Sequence, residues 1–472
     1  MNFIIEHYIQ LSIGLVLGLA VFVLAYSAQP RTVMVVLLLA IPFQPVETRY
    51  GSLNMVLTYA VFFVFLLKGR LREWPFVWAV IGIALAYLLS MSQVQSFLYK
   101  DHLFYVLVAG GNFALFYLVY NFFRQDGDVR FAMNVFLGIT FLVSLHFGFS
   151  LFIGFEQFAL FGVEELDLIS NRESGRRLIG PFNGAEFSSD FLAIQILLIG
   201  YLLLFQDKIW KQLFLLLMAM ACFGFLMATG SRGGLIALVP GGLLFLFLFR
   251  RNLGVKGLTK VGVVLGAFAV AATVVVTFSE FNVMLERLED THLAGFELDT
   301  RAGIFDFVSA KIAEKPMLGY GPRLIIPDTE IKMRLGYVPI GGSPHSLYLF
   351  LLLTIGAVGF IMYMMFFFLL VGRWWRWRRQ QHDDPMIEGM PRFALVIMFV
   401  FLLTEYRIEF LRFVINDYQQ YMFALWAMML AFTGVRNRQI VSAVDRDLQG
   451  VQAGSKKTGG ARILRPRRGP SV

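Results

Sequence analysis

Apolar positions along this chain come in long blocks rather than in strict alternation or in a narrow stripe. Blocks that read as continuous apolar helices cover Tyr8–Ala28, Thr32–Phe43, Leu53–Leu67, Trp74–Met91, Leu103–Phe123 and Phe131–Ile153. After a polar gap they resume at Phe191–Phe205, Leu213–Ala228, Gly233–Phe249 and Val261–Phe278. A second gap precedes Leu347–Leu370, Phe393–Leu403 and Tyr421–Val435. Runs of about 15–25 apolar residues match the roughly 30 Å of hydrocarbon that a helix must cross. The pattern predicts an all-α polytopic membrane bundle of about 12–14 transmembrane helices.

Composition sharpens this picture. Of 472 residues, 58% are hydrophobic and only 15% charged, whereas soluble domains are nearer half and a quarter. The mean hydropathy of +0.68 excludes an ordinary soluble enzyme. Met1–His7 carries no Lys or Arg, so the first block does not read as a cleaved signal. The single cysteine, Cys222, excludes an internal disulfide and reads as a small apolar side chain in a helix interface.

Charge then orients the bundle. With the C-terminal tail on the cytoplasmic side, the connections sharing that side hold Arg31, Lys68, Arg70, Arg72, Arg124, Arg130, Lys208, Lys211, Arg250, Arg251, Lys256, Lys260 and the Arg373–Arg392 group. The short connections of the other face carry only Arg49, Lys100, Arg232, Arg407 and Arg412. The positive-inside rule gives one orientation, with the N-terminus and two long loops, about 154–190 and 279–346, outside. The net charge of +9 therefore points to anionic lipid rather than nucleic acid, and the Arg373–Arg379 cluster with Trp374, Trp375 and Trp377 reads as an interfacial anchor. Residues 1–435 form the membrane domain, and 436–472 a basic tail predicted to be disordered.

The motifs of soluble catalysis are missing: no phosphate-binding P-loop, no HExxH helix, no GxSxG elbow, and no pair of histidines at metal-ligand spacing. What stands out is polar material at the outer face. Thr229-Gly230-Ser231-Arg232-Gly233-Gly234 joins two spans with almost no loop. A snorkelling arginine beside flexible glycines is the bland account of Arg232. An arginine bracketed by Gly, Ser and Thr also presents its guanidinium to phosphate oxygens beside free backbone N–H groups, which is the account favoured here.

In the second long loop, Ile304, Val308 and Ile312 recur every four residues with Phe307 beside them, predicting an amphipathic helix over Arg301–Lys315. Such a helix is expected to lie flat on the outer leaflet. Arg301 falls in its first turn, where a cation opposes the helix dipole unless an anion is shared, although an exposed surface arginine accounts for it equally well. The turn Pro316-Met317-Leu318-Gly319-Tyr320-Gly321-Pro322 follows, and Gly341-Gly342-Ser343-Pro344-His345-Ser346 closes the loop, leaving His345 at the mouth of the next span. A lone histidine is more often structural; beside converging arginines it can serve as a base near neutral pH. Arg172, Arg176, Arg177 and the Gly180–Glu186 stretch of the first loop are possible ligand contacts, with a solvated loop as the stronger alternative. Glu405, Arg407, Glu409 and Arg412 fill the last outer connection, where acceptor contact and mutual pairing account for them equally.

At these residues the chain resembles the O-antigen ligase and O-antigen polymerase superfamily. The resemblance rests on four pieces in order: Ser231-Arg232-Gly233, the Arg301 helix, the Pro316–Gly321 turn including Tyr320, and His345 opening a span at Leu347. It covers roughly Arg176 to Leu370; many members have Asn after the histidine, where this chain has Ser346. The resemblance implies a metal-independent, cofactor-free, inverting glycosyltransferase of the bacterial inner membrane, working at the periplasmic face. Its donor would be a glycan on undecaprenyl pyrophosphate, and its acceptor lipid A–core for a ligase or another lipid-linked glycan for a polymerase, with other polysaccharide-assembly proteins as further partners. It further implies that Arg232 and Arg301 hold the pyrophosphate and that His345 serves the acceptor hydroxyl, with Arg176, Arg177 and Tyr320 as further substrate contacts. A lipid-linked glycan flippase or transporter is the rival reading, disfavoured by nearly apolar mid-span positions, asymmetric loops and no visible repeat. A non-catalytic assembly partner ranks third.

Overall fold

The computed structural model describes residues 22–42, 47–48, 51–150, 169–172, 175–182, 184–278, 300–323, 344–407, 411 and 417–435. Most of the first apolar block, of the two long loops, and the tail from 436 lie outside the described residues. After a helical stretch at 22–27, the elements are α1 (Pro30–Ala40), α2 (Leu53–Leu67), α3 (Val77–Ser90), α4 (Tyr99–Asp126), α5 (Val129–Phe149), α6 (Ala185–Leu204), α7 (Ile209–Ala228) and α8 (Arg232–Phe278). Then come α9 (Thr300–Glu314), α10 (Leu347–Trp377), α11 (Pro385–Thr404) and α12 (Asp417–Ala431). Two short antiparallel hairpins interrupt the helices: β1 (Glu47–Thr48) with β2 (Gly51–Ser52), and β3 (Ile169–Arg172) with β4 (Gly175–Leu178). Among the described residues, 7 helices are long and apolar enough to cross a membrane by length and composition, namely those within α4, α5, α6, α7, α8, α10 and α11. The molecule is an all-α polytopic bundle.

Helices that are apolar all round must be buried, and the sequence of α12 has that character. Every residue from Tyr418 to Thr433 is buried, so α12 is the axis of the bundle, with α4 packed along it. Outward faces of the surrounding helices carry Trp78, Phe97, Trp210 and Phe368, all strongly exposed as lipid-facing side chains are. Polar groups inside the bundle find one another. Thr140 Oγ1 donates to Gln195 Oε1 at 2.6 Å, Gln195 Nε2 donates to the Tyr421 hydroxyl at 2.6 Å, and Asn112 Nδ2 donates to Gln419 Oε1 at 2.9 Å. Such bonds tie spans together where water is absent, each worth about 0.6–2 kcal/mol. Cys222 is buried, with the Ser144 hydroxyl 3.7 Å from its sulfur.

The two ends of the bundle differ in chemistry. At one end, Arg31 pairs with Asp126 at 2.8 Å, Arg124 donates to the Ala431 carbonyl at 3.1 Å, and Arg392 donates to Asn252 at 2.9 Å. Gly434 N–H donates to Gln380 at 2.8 Å, and the Tyr201 hydroxyl donates to the Met386 carbonyl, at the same end. This basic end collects the connections rich in Lys and Arg. The aromatic cluster beside it is divided: Trp374 is fully buried in the core, whereas Trp375 is exposed and carries the Arg378 guanidinium 3.9 Å above its ring.

Among the described residues two helices are broken, α8 at Gly254 (φ 44°, ψ −168°) and α10 further along the chain. At Gly356 (φ 64°, ψ −170°) α10 leaves helical geometry in a region of backbone space open essentially only to glycine. The carbonyls of Leu353 and Thr354 and the amides of Ala357 and Val358 thereby lose their helical partners. The turn after α9 replaces them one for one. Tyr320 N–H donates to Leu353 O at 2.8 Å and Gly321 N–H to Thr354 O at 2.9 Å; Ala357 N–H donates to Pro316 O at 2.8 Å and Val358 N–H to Met317 O at 3.3 Å. Non-helical backbone inside a membrane protein is tolerated where protein satisfies it, and here the Pro316–Gly321 turn does so.

The same docking changes the expected place of the amphipathic helix. Its stripe is not spent on lipid: Phe307 and Val308 are buried against Leu353, with Ile312, Tyr320 and Leu349 packed around them. The helix predicted to lie on the leaflet instead packs on the first half of α10. A broken α10 offers an apolar face and free backbone groups together, and protein contact satisfies both where a lipid surface satisfies only the first.

Candidate functional site

The end opposite the basic end gathers most of the residues singled out in the sequence. The α7–α8 junction is a tight reversal whose polar groups are satisfied locally. The Thr229 hydroxyl donates to Leu226 O at 2.7 Å and accepts from Ser231 N–H at 3.2 Å, and Gly230 N–H donates to Met227 O at 3.1 Å. Thr229 and Ser231 are buried, and the half-buried Arg232 is the first residue of α8. The residue thus stands at the N-terminus of a helix, whose unpaired amides suit an anionic ligand.

The two glycines after Arg232 are close-approach positions. A Cβ on Gly234 would lie 2.7 Å from the Ser189 carbonyl oxygen, so α8 rests directly on the backbone of α6. A Cβ on Gly233 would lie 1.4 Å from Nη2 of Arg407, so that guanidinium sits on the first turn of α8. Arg407 follows the end of α11, where its N–H donates to Thr404 O at 2.9 Å. Two residues earlier, the carbonyl of the fully buried Glu405 accepts from Leu347 N–H at 2.9 Å. That bond fixes the start of α10, and with it His345.

His345 is itself held in a strained conformation. Its φ of 47° lies in the left-handed region, sparsely populated by residues with a side chain, and Ser346 returns to extended geometry before α10 begins. Non-glycine residues in that region cost of order 1–3 kcal/mol and concentrate at functional sites. Two contacts, Leu347 with Glu405 and Arg407 with Gly233, thus link the chain segment of His345 to that of Arg232.

Arg301 lies in the first turn of α9, the helix docked on α10 just below His345; its side chain lies outside the described residues. Arg176 and Arg177 sit on β4, paired with Asn171 and Ser170 of β3. The strand leads into the mouth, because the Ser188 hydroxyl donates to the Ile179 carbonyl and so ties the segment after β4 to the first turn of α6. Tyr320 is placed differently. Its backbone docks on α10, its hydroxyl reaches Glu314 Oε2 at 2.5 Å, and Lys315 Nζ lies 4.7 Å from its ring centre. Its side chain is engaged in fastening the turn to α9.

Two residues at this mouth were not singled out as site residues from sequence. Arg407 was visible only as one charge among four in the last outer connection. Asp190 lies in the second turn of α6, is 1% exposed, and has no hydrogen-bond partner for either carboxylate oxygen. A lone acid at the end of an apolar block signals nothing until the fold shows what faces it. Glu186, Ser189 and Arg407 are among the groups acting on it.

A many-helix membrane bundle with a polar, arginine-lined mouth at one end defines the class. Within it, residues 213–364 match the family model O-antigen ligase, which bears out the resemblance to the O-antigen ligase and polymerase superfamily. The matched stretch runs from α7 to α10 and includes Arg232, Arg301, Tyr320 and His345. The match supports ligase- or polymerase-type function in glycan biosynthesis for that stretch, and the apolar helices fit a multi-pass membrane protein. No curated protein matches the chain.

Proposed function

We propose that the chain transfers a glycan from undecaprenyl pyrophosphate to an acceptor hydroxyl at the periplasmic face of the bacterial inner membrane, without a metal and with inversion at the anomeric carbon. The observation that carries this reading is the pair of contacts linking the segment of His345 to that of Arg232, inside and beside the family-matched stretch. Arg232 and Arg301 hold the donor pyrophosphate. The acceptor oxygen attacks the anomeric carbon as its proton passes to His345. The bond from that carbon to the pyrophosphate oxygen breaks, and the lipid pyrophosphate leaves with the electron pair. Neutralising the charge that grows on the leaving group is the main task, and each positioned guanidinium contributes about 2–4 kcal/mol in a water-poor site. A positioned base adds roughly 10²–10⁴-fold. Arg176 and Arg177 meet the glycan or the acceptor.

Broken helices such as α10 are shared with transporters, which bind cargo at the free ends of such helices. Here the four backbone groups freed at Gly356 are taken by the Pro316–Gly321 turn, which supports the enzyme reading over the transporter. Deleting the gene in its host and running lipopolysaccharide and secreted polysaccharide side by side separates the outcomes. Lipid A–core without long glycan, while long lipid-linked polymer accumulates, identifies a ligase; single repeat units in place of polymer identify a polymerase. Unchanged glycans in the deletion strain would remove the proposal.

A further inference from the structure

We propose that His102 is a proton-sensitive clasp: with a neutral ring it holds the end of the 316–323 turn against α4, and on protonation it lets go. Docking of the turn is measured independently of transfer, and only the consequence for transfer rests on the function proposed above.

His102 lies in the first turn of α4 and is 1% exposed. Its Nδ1 accepts a hydrogen bond from the Arg323 N–H at 3.0 Å. The ring also lies against the turn itself. A Cβ on Gly321, whose φ is 118°, would stand 2.7 Å from Cε1 and 2.8 Å from Nδ1 of His102, and 2.3 Å from Cγ2 of Val94. The segment is therefore gripped on two sides. Leu353 and Thr354 of α10 accept from the Tyr320 and Gly321 amides, and His102 of α4 accepts from the next amide along, since Pro322 has none. One imidazole thus joins α4 to the turn that fills the break in α10 and follows the helix bearing Arg301.

An imidazole nitrogen that accepts a hydrogen bond carries no proton, and in the charged ring both nitrogens are donors. Protonation would set Nδ1–H against the Arg323 N–H, donor facing donor. Docking of residue 323 and protonation of Nδ1 therefore exclude each other. The surroundings do not reverse this. Burial disfavours a charge on the ring, as does Arg323 from the turn, while Asp101 of α4 favours one. Arg323 and Asp101 stand 3.7 Å apart as a partly exposed pair, so their effects on the ring oppose each other. Lys315, at the start of the turn, is engaged with the Gln93 carbonyl at 3.4 Å. Loss of the acceptor sets the direction: acid loosens the turn. A released histidine titrates near pH 6.5, in the range where histidines serve as pH sensors.

Hydrogen exchange on the full chain in nanodiscs tests this, read as the protection of residues 316–323 corrected for the intrinsic rate at each pH, with α12 as internal reference. Because only the undocked ring takes the proton, wild-type protection should fall about tenfold between about pH 8 and about pH 5.5. His102→Asn keeps an acceptor oxygen near the place of Nδ1 and does not titrate, so its protection should stay level. His102→Phe fills the space without an acceptor and should match acidified wild type at both values. Asp101→Asn should keep the fall, because the proton goes to His102. A wild type whose protection ignores pH, or a His102→Asn variant that loses protection as wild type does, overturns the proposal. In a transfer assay, wild type should lose more rate on acidification than His102→Asn, the loss common to both belonging to other groups such as His345. Intact pH-dependent protection with no transfer by any variant would remove the transfer reading and leave the clasp; transfer without pH-dependent protection would do the reverse.

Discussion

Replacing Gly356 by alanine tests how the break in α10 is held. The added Cβ meets Met317 O at 2.2 Å and Met317 C at 2.3 Å, both backbone atoms that cannot swing aside as a side-chain tip would. Alanine is also strained at φ 64° and ψ −170°, by about 1–3 kcal/mol. Relief requires the Pro316–Gly321 turn to undock, which forfeits the four backbone hydrogen bonds to residues 353, 354, 357 and 358 at roughly 1 kcal/mol each. The expected loss is about 5–7 kcal/mol, concentrated in the segment from Pro316 to Val358. Tryptophan-monitored unfolding in detergent reads the global part, and hydrogen exchange at the Tyr320, Gly321, Ala357 and Val358 amides reads the local part. Gly242→Ala is the control, because nothing lies within 4 Å of its added Cβ and its backbone is helical; it is expected to be neutral or slightly stabilising. Equal unfolding and equal amide protection in Gly356→Ala and wild type would mean that the turn does not hold the break.

Two further variants probe other levels of the structure. Gln195→Leu removes the donor to the buried Tyr421 hydroxyl and leaves Thr140 only its bond to the Phe136 carbonyl; it is expected to lower stability by about 1–2 kcal/mol, measured by the same unfolding assay, with no change in donor binding. Val308→Asp places a charge in the fully buried contact between α9 and α10 and should detach the helix bearing Arg301. Transfer activity should then fall at least tenfold while the main unfolding transition stays; retained activity with a detached α9, shown by protease sensitivity near Lys311, would argue against Arg301 at the site.

Much of the bundle is legible in the sequence because a membrane span announces itself by composition alone. Leu53–Leu67 coincides with α2, and most of the other described helices overlap their apolar blocks while extending past them, as where Tyr99–Asp126 exceeds Leu103–Phe123. The extension is amphipathic helix beyond the apolar stretch, which hydropathy does not mark. The order of Arg232, the Arg301 helix, the glycine turn and His345 is legible too, since Gly, Pro and charge stand out against apolar helices. Contacts between distant segments are not. The turn at Pro316–Gly321 reads as a turn, yet nothing local says that its partner is a break at Gly356, whose neighbours are ordinary helix formers. The stripe on α9 reads as amphipathic, and periodicity alone does not say whether lipid or protein covers it. Gly233 and Gly234 likewise gain their meaning only from Arg407 and Ser189, residues far away in the chain.

Glycan transfer from a lipid pyrophosphate through Arg232 and His345 can be followed in a purified system. Purified chain in liposomes, supplied with a glycan on undecaprenyl pyrophosphate and a hydroxyl acceptor, gives the most direct measurement: product glycan and released undecaprenyl pyrophosphate quantified over time. Wild type is expected to give equal amounts of both, with rates lowered about 10²–10⁴-fold by His345→Ala and about 10²–10³-fold by Arg232→Ala. Transfer by both variants at the wild-type rate would contradict these roles of Arg232 and His345.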